Sequence, residues 1–113
     1  MEIRALPEVF DAVVLGMGND GHTASFFPGG DTLDAALTGS APVLAIRAPG
    51  AGEPRVTLSL ARLLKTDGLY LHIEGEEKVL TLAKAEADGP IEDMPVRAIL
   101  RQSQTPLTIF WCP

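Results

Sequence analysis

The stretch Val13–Gly29, VVLGMGNDGHTASFFPG, decides the fold. Before and into it, Phe10 to Leu15 (FDAVVL) is apolar and partly β-branched and stops at Gly16, which predicts a short buried strand. Glycines follow at 16, 18 and 21, Asp20 and His22 flank the last of them, and Pro28 closes the segment. Three readings compete: a phosphate cradle for a nucleotide, a tight structural turn, and a catalytic loop. GMGNDG matches G-x-G-x-x-G after a predicted strand, so the dinucleotide reading has a claim. That fingerprint needs a substantial helix after the loop and an acidic residue some twenty positions on. Here HTASFF leaves only about six residues for a helix before Pro28, short of a usual one. The region around Gly39-Ser40-Ala41 supplies no acid. A structural turn explains the glycines, and Asp20 as a helix cap. It does not explain His22, placed where the carboxyl end of a strand opens into a crevice, the usual ligand position of an open α/β sheet. A histidine there is equally often a satisfied polar residue, so both readings stand.

Working outward, HTASFF is expected to make one or two helical turns ending at Pro28-Gly29-Gly30. Asp31 is expected to cap a short helix running through Leu37 and stopping at Gly39. Val43 to Arg47 and Arg55 to Leu58 read as two strands around a Pro/Gly loop. SLARLLKTDG places Leu60, Leu63 and Leu64 on one helical face and stops at Gly68. LYLHI reads as a strand. EEKVLTLAKAEADG reads as a helix with glutamates at its start and a lysine in its later turns. Pro95 to Arg101 is a further short helix, and PLTIFW the closing strand. Strands alternating with helices give an α/β fold: a layered, mostly parallel, Rossmann-like sheet flanked by helices, with no repeat and no dividing linker.

The 113 residues suit one domain, with 46% hydrophobic and 21% charged residues. A net charge of -6 argues against nucleic acid as a partner, because neutralising a phosphate backbone needs a basic face. The single cysteine, Cys112, cannot form an internal disulfide and reads as an apolar strand residue, which points to a reducing cytoplasm. No apolar run has the length of a membrane span, and the N-terminus lacks a basic segment followed by an apolar signal core. No Cys/His cluster and no His-x-x-x-His pair is legible, so neither metal nor cofactor is expected.

Leu15 to Gly29, LGMGNDGHTASFFPG, resembles the signature of the 6-phosphogluconolactonases, sugar-lactone hydrolases of the pentose phosphate pathway. The family usually has leucine at the Phe26 position and often proline at the Asn19 position. The related glucosamine-6-phosphate deaminases share the Gly-x-Gly-x-Asp-Gly-His core but continue differently, where this chain has Thr23-Ala24-Ser25-Phe26-Phe27-Pro28. PRVTLSL and GEEKVL stand where the family places a phosphate-gripping arginine and lysine, and MPVRAIL and LTIFW follow in family order. The resemblance covers only the family's C-terminal half, so the chain is expected to be part of a larger domain. The other half normally carries a glycine-rich phosphate loop and a further basic residue.

The resemblance implies hydrolysis of 6-phospho-D-glucono-1,5-lactone to 6-phospho-D-gluconate. His22 is then the general base that takes a proton from water, worth about a hundred- to ten-thousand-fold. Asp20 orients the ring and stabilises the imidazolium. Backbone N–H groups from Gly18 to Gly21 are expected to help meet the oxyanion. Arg55 and Lys78, each otherwise a solvated surface cation, become the phosphate ligands. The absence of G-x-S-x-G favours direct attack by water over an acyl-enzyme. Two alternatives remain: an isomerase or deaminase of the same superfamily, and a non-catalytic sugar-phosphate-binding fragment. His72 reads as a hydrogen-bonded or edge histidine, Arg47 and Arg101 as surface, and Phe110 and Trp111 as core or interface. An apolar strip left bare by the other half predicts self-association.

Overall fold

The computed structural model describes residues 6–113. Among these residues five strands and four α-helices follow in the order β1 (Val13–Leu15), α1 (Leu33–Thr38), β2 (Val43–Ile46), β3 (Arg55–Leu58), α2 (Leu60–Leu63), β4 (Leu69–Glu74), α3 (Glu76–Glu86), α4 (Val96–Arg101) and β5 (Leu107–Cys112). β4 is the middle strand of a three-stranded parallel sheet in the order β1-β4-β5. β2 and β3 form a separate antiparallel ribbon rather than extending that sheet. The expected α/β class holds, and the parallel part is its centre.

β4 explains the core. Its alternate residues Leu69, Leu71 and Ile73 are buried, while His72 and Glu74 on the opposite face are exposed. The register sets Leu71 between Leu15 of β1 and Ile109 of β5. Val96 and Ile99 of α4, both fully buried, join the same core, as does Phe26 from the glycine-rich segment. Helix α3 runs as its charges require: Glu76 and Glu77 sit in the first turn and Lys84 in the last, each opposite in sign to its end of the helix dipole. Ser59 caps α2, its hydroxyl accepting the Arg62 N–H at 3.3 Å.

Four expectations need correction. The β1 strand is shorter than Phe10 to Leu15, and Phe10 makes only an isolated bridge with Thr66. Residues 22–27 form no helix. Instead Phe26 N–H donates to Thr23 O at 2.9 Å in a tight turn, and Ala24 sits at φ 50°. The reason is packing: Phe26 and Phe27 are adjacent and both buried, and the Thr23 hydroxyl donates backward to Gly16 O at 2.6 Å. Asp31 does not cap α1. The N-cap is Thr32, whose hydroxyl donates to Ala45 O at 2.6 Å instead of accepting from the helix, and Asp31 Oδ1 accepts the Arg47 N–H at 2.8 Å. Only the core half of the core-or-interface reading of Phe110 and Trp111 fails, the two being 53% and 47% exposed.

Candidate active site

The glycine-rich segment leaves the carboxyl end of β1 and folds back on itself. Asp20 Oδ1 accepts two hydrogen bonds from the same residue, one from the His22 backbone N–H at 3.0 Å and one from the ring nitrogen Nδ1 at 2.6 Å. This is the turn an aspartate makes with the residue two positions on. Gly21 allows it by taking φ 83°, and a side chain there would also strike Met94 Cβ at 2.7 Å. The imidazole lies directly against Gly18, where a Cβ would stand 2.2 Å from Cε1 and Nδ1. On another side Phe27 stacks on the ring at 4.2 Å between centroids and 21° between planes.

The carboxylate sets the chemistry of this ring. Partial burial pushes the Asp20 carboxyl up, but the His22 backbone and ring hydrogen bonds and the nearby imidazole outweigh it and hold the carboxyl below its ordinary range. An ionised carboxylate only accepts, so Nδ1 carries the proton and Nε2 is the basic nitrogen. Among the described residues Nε2 has no hydrogen-bond partner, and the side chain is 32% exposed.

The two cations reach the same loop from different elements. Lys78, in the first turn of α3, donates from Nζ to Met17 O at 2.8 Å, one residue before Gly18. An ammonium has three donors, so two remain for an anion. Arg55, the first residue of β3, places its guanidinium carbon 5.4 Å from the centroid of Phe27, the ring that also stacks on His22. Its Nε donates to Ala51 O at 3.4 Å. Lys78 thus meets the loop at Met17, while Arg55 and His22 share the Phe27 ring and Asp20 is bonded to His22.

The expectation that Gly18 and Gly21 supply oxyanion donors does not fit the loop. Gly18 N–H donates to His22 O at 2.9 Å, and Gly21 N–H to Gly18 O at 3.0 Å. These glycines give close approach and positive φ instead. A cavity of about 860 Å³ lies elsewhere, lined by Leu33, Leu37, Leu60, Asp93 and Arg101 among others, and none of the four site residues borders it. The dyad is partly exposed, His22 32% and Asp20 43%, and follows the carboxyl end of β1.

Three contributors escaped the sequence reading. Phe27 is the ring shared by His22 and Arg55. Thr23, 1% exposed, ties the loop to Gly16 through its hydroxyl. Met94 packs under Gly21, and the adjoining Val96 N–H donates to Gly21 O at 2.8 Å. A small hydroxyl residue beside a glycine loop was a signal for Thr23; the contacts of Phe27 and Met94 are tertiary and leave none.

A family model described as glucosamine-6-phosphate isomerases/6-phosphogluconolactonase matches residues 2–111. The chain belongs to this family. The 6-phosphogluconolactonase of Rhizobium meliloti strain 1021 is 53% identical over 105 residues, covering 91% of this chain and 45% of the relative. The 6-phosphogluconolactonase of Mesorhizobium japonicum is 47% identical over 113 residues, covering 98% and 47%. A crystal structure of a 6-phosphogluconolactonase from Shewanella baltica OS155 superposes with a TM-score of 0.90 at 43% identity, covering 95% of this chain and 46% of that one. The chain therefore spans about half the length of the curated relatives it matches. No helix among the described residues is long and apolar enough to cross a membrane.

Proposed function

We propose that this chain carries the acid–base groups for opening 6-phospho-D-glucono-1,5-lactone to 6-phospho-D-gluconate. Water attacks the lactone carbonyl carbon while His22 Nε2 takes its proton. The ring oxygen then leaves as the carbonyl carbon–oxygen bond breaks, and the imidazolium returns the proton to it. Asp20 keeps Nδ1 protonated and stabilises the imidazolium between the two steps. Arg55 and Lys78 hold the phosphate away from the carbonyl, the guanidinium by paired donors and the ammonium as a compact charge. The loop glycines contribute shape, and the oxyanion is met by donors other than Gly18 and Gly21.

The observation that carries this reading is the dyad itself: Nδ1 locked to Asp20 at 2.6 Å with Nε2 left without a partner. The 53% identity to a 6-phosphogluconolactonase supports the substrate class. The span of about half a relative supports a second reading, in which this segment binds the sugar phosphate and another segment must complete the substrate site.

Acid release from the phosphorylated lactone, above the spontaneous rate, separates the two. The chain is assayed alone and mixed with the N-terminal part of the Rhizobium meliloti relative. Turnover alone supports the first reading, and turnover only on mixing supports the second. Arg55→Ala and Lys78→Ala are expected to raise KM for the lactone or weaken 6-phosphogluconate binding by about tenfold or more each, as loss of a charge-assisted hydrogen bond does. Unchanged KM and unchanged product binding in both would remove the phosphate assignment.

A further inference from the structure

We propose that His72, Glu74 and Cys112 form a surface site for a divalent transition ion, Zn²⁺ in the first instance. One ligand atom from each lies within 4.8 Å of the others. His72 and Glu74 are two apart on β4 and therefore on the same face, with Nε2 and Oε1 at 3.7 Å. Cys112 is the register partner of Glu74 on the neighbouring parallel strand β5.

The donor set selects the ion. An imidazole nitrogen, a thiolate sulfur and a carboxylate oxygen suit zinc and its neighbours, whereas magnesium and calcium take oxygen ligands. Ligand atoms around tetrahedral zinc stand about 3.5 Å apart, given bonds of about 2.0 to 2.3 Å. The His72–Glu74 pair already meets that spacing, and the thiol needs to move inward by about an ångström. The side chains are free to do so, His72 being 48% and Glu74 69% exposed. The backbone beneath them is fixed: Gly75 N–H donates to Cys112 O at 2.8 Å, and Trp111 Nε1 donates to Gly75 O at 2.9 Å. Phe110, paired in register with His72, gives the site an apolar flank. Three protein ligands leave the fourth position of the ion open to water or to an external ligand.

This cluster shares no residue with the dyad, whose histidine follows β1. The chain's composition makes it easy to test, because Cys112 is the only cysteine and His72 one of two histidines. The purified, reduced chain is titrated with Co²⁺ and followed for a near-ultraviolet thiolate-to-cobalt charge-transfer band, with Zn²⁺ as competitor. The expected result is a one-to-one band that Zn²⁺ abolishes and Mg²⁺ does not. His22→Ala keeps it, while His72→Ala and Glu74→Gln weaken binding at least tenfold and Cys112→Ser removes the band. Zn²⁺ is also expected to slow alkylation of Cys112 at least tenfold in the wild type and not in His72→Ala. No band, or a band of undiminished affinity in both His72→Ala and Glu74→Gln, would overturn the proposal. Urea unfolding of each metal-free variant guards against misfolding, since all three residues are at least partly exposed.

Discussion

His22 is held by three neighbours that do different things. Asp20 fixes which nitrogen is basic, Gly18 lets the ring lie on the backbone, and Phe27 closes its other side. Asp20, Gly18 and the turn glycine Gly21 each make a distinct prediction. In Asp20→Asn the amide can donate to Nδ1, leaving the wrong nitrogen protonated, so turnover should fall steeply, by about a hundredfold or more, with substrate affinity little changed; separate kcat and KM values check this. Gly18→Ala should displace the imidazole, because its Cβ has no room, and should lower kcat more than stability. Gly21→Ala does the reverse in part: the positive φ alone costs about 1–2 kcal/mol, and the Met94 contact adds to it, so the urea midpoint should drop. The pH dependence follows from Asp20. Its folded-state pKa is depressed, so the pair's contribution to stability is complete above the ordinary carboxylate value of about 3.9 and is lost as pH falls through the lower folded value. The stability difference between wild type and Asp20→Asn should therefore be constant at neutral pH and shrink in acid. A difference that grew on acidification would contradict that sign. The residues of this dyad were legible from GNDGH, because Asp20 and His22 are close in sequence and their bond is local. The donors expected from Gly18 and Gly21 were not, because a loop's own hydrogen bonds cannot be read from its glycines.

At the scale of elements, the strands and longer helix were legible because each carries a local signal. β4 alternates buried and exposed positions, and α3 has acids at one end, a lysine at the other and glycine before it. The segment after His22 was misread as helix because the forces that shape it are not local: two buried phenyl rings and a hydroxyl bonded seven residues back. Thr23→Val should therefore destabilise the chain by about 1–3 kcal/mol, the cost of leaving Gly16 O without its partner, and a urea titration measures it. Arg97 escaped notice for the same reason. It is 6% exposed, and its guanidinium donates to Ala85 O, Lys84 O and Pro90 O at 2.8–3.1 Å, serving carbonyls at the end of α3 from α4. Arg97→Met should cost at least about 2 kcal/mol and be seen as faster hydrogen exchange in the last turn of α3. Exchange unchanged there would mean α3 does not depend on this bond.

Over the whole molecule, the parallel sheet ends in an exposed edge. β5 pairs with β4 on one side only, and Ile109, Phe110 and Trp111 are all exposed. An edge strand of that length and character invites pairing with another chain. The chain should self-associate through β5 in sedimentation at high concentration, and Phe110→Lys should reduce it; a monomer at every concentration would contradict this. The sequence reading anticipated a bare apolar strip and left Phe110 and Trp111 open between core and interface, since a hydrophobic strand looks the same whether covered or open. The nearness of His72, Glu74 and Cys112 was not legible either, because they meet only through the parallel register of β4 and β5.

The central claim is that Nε2 of His22 takes the proton from the attacking water. Lactone hydrolysis by His22→Ala and wild type, measured above the spontaneous rate with the chain alone and with the relative's N-terminal part added, tests it directly. The account predicts that, in whichever form the wild type turns over, the substitution removes about a hundred- to ten-thousand-fold of the enzymic rate while 6-phosphogluconate still binds. Equal turnover by the two proteins would contradict it.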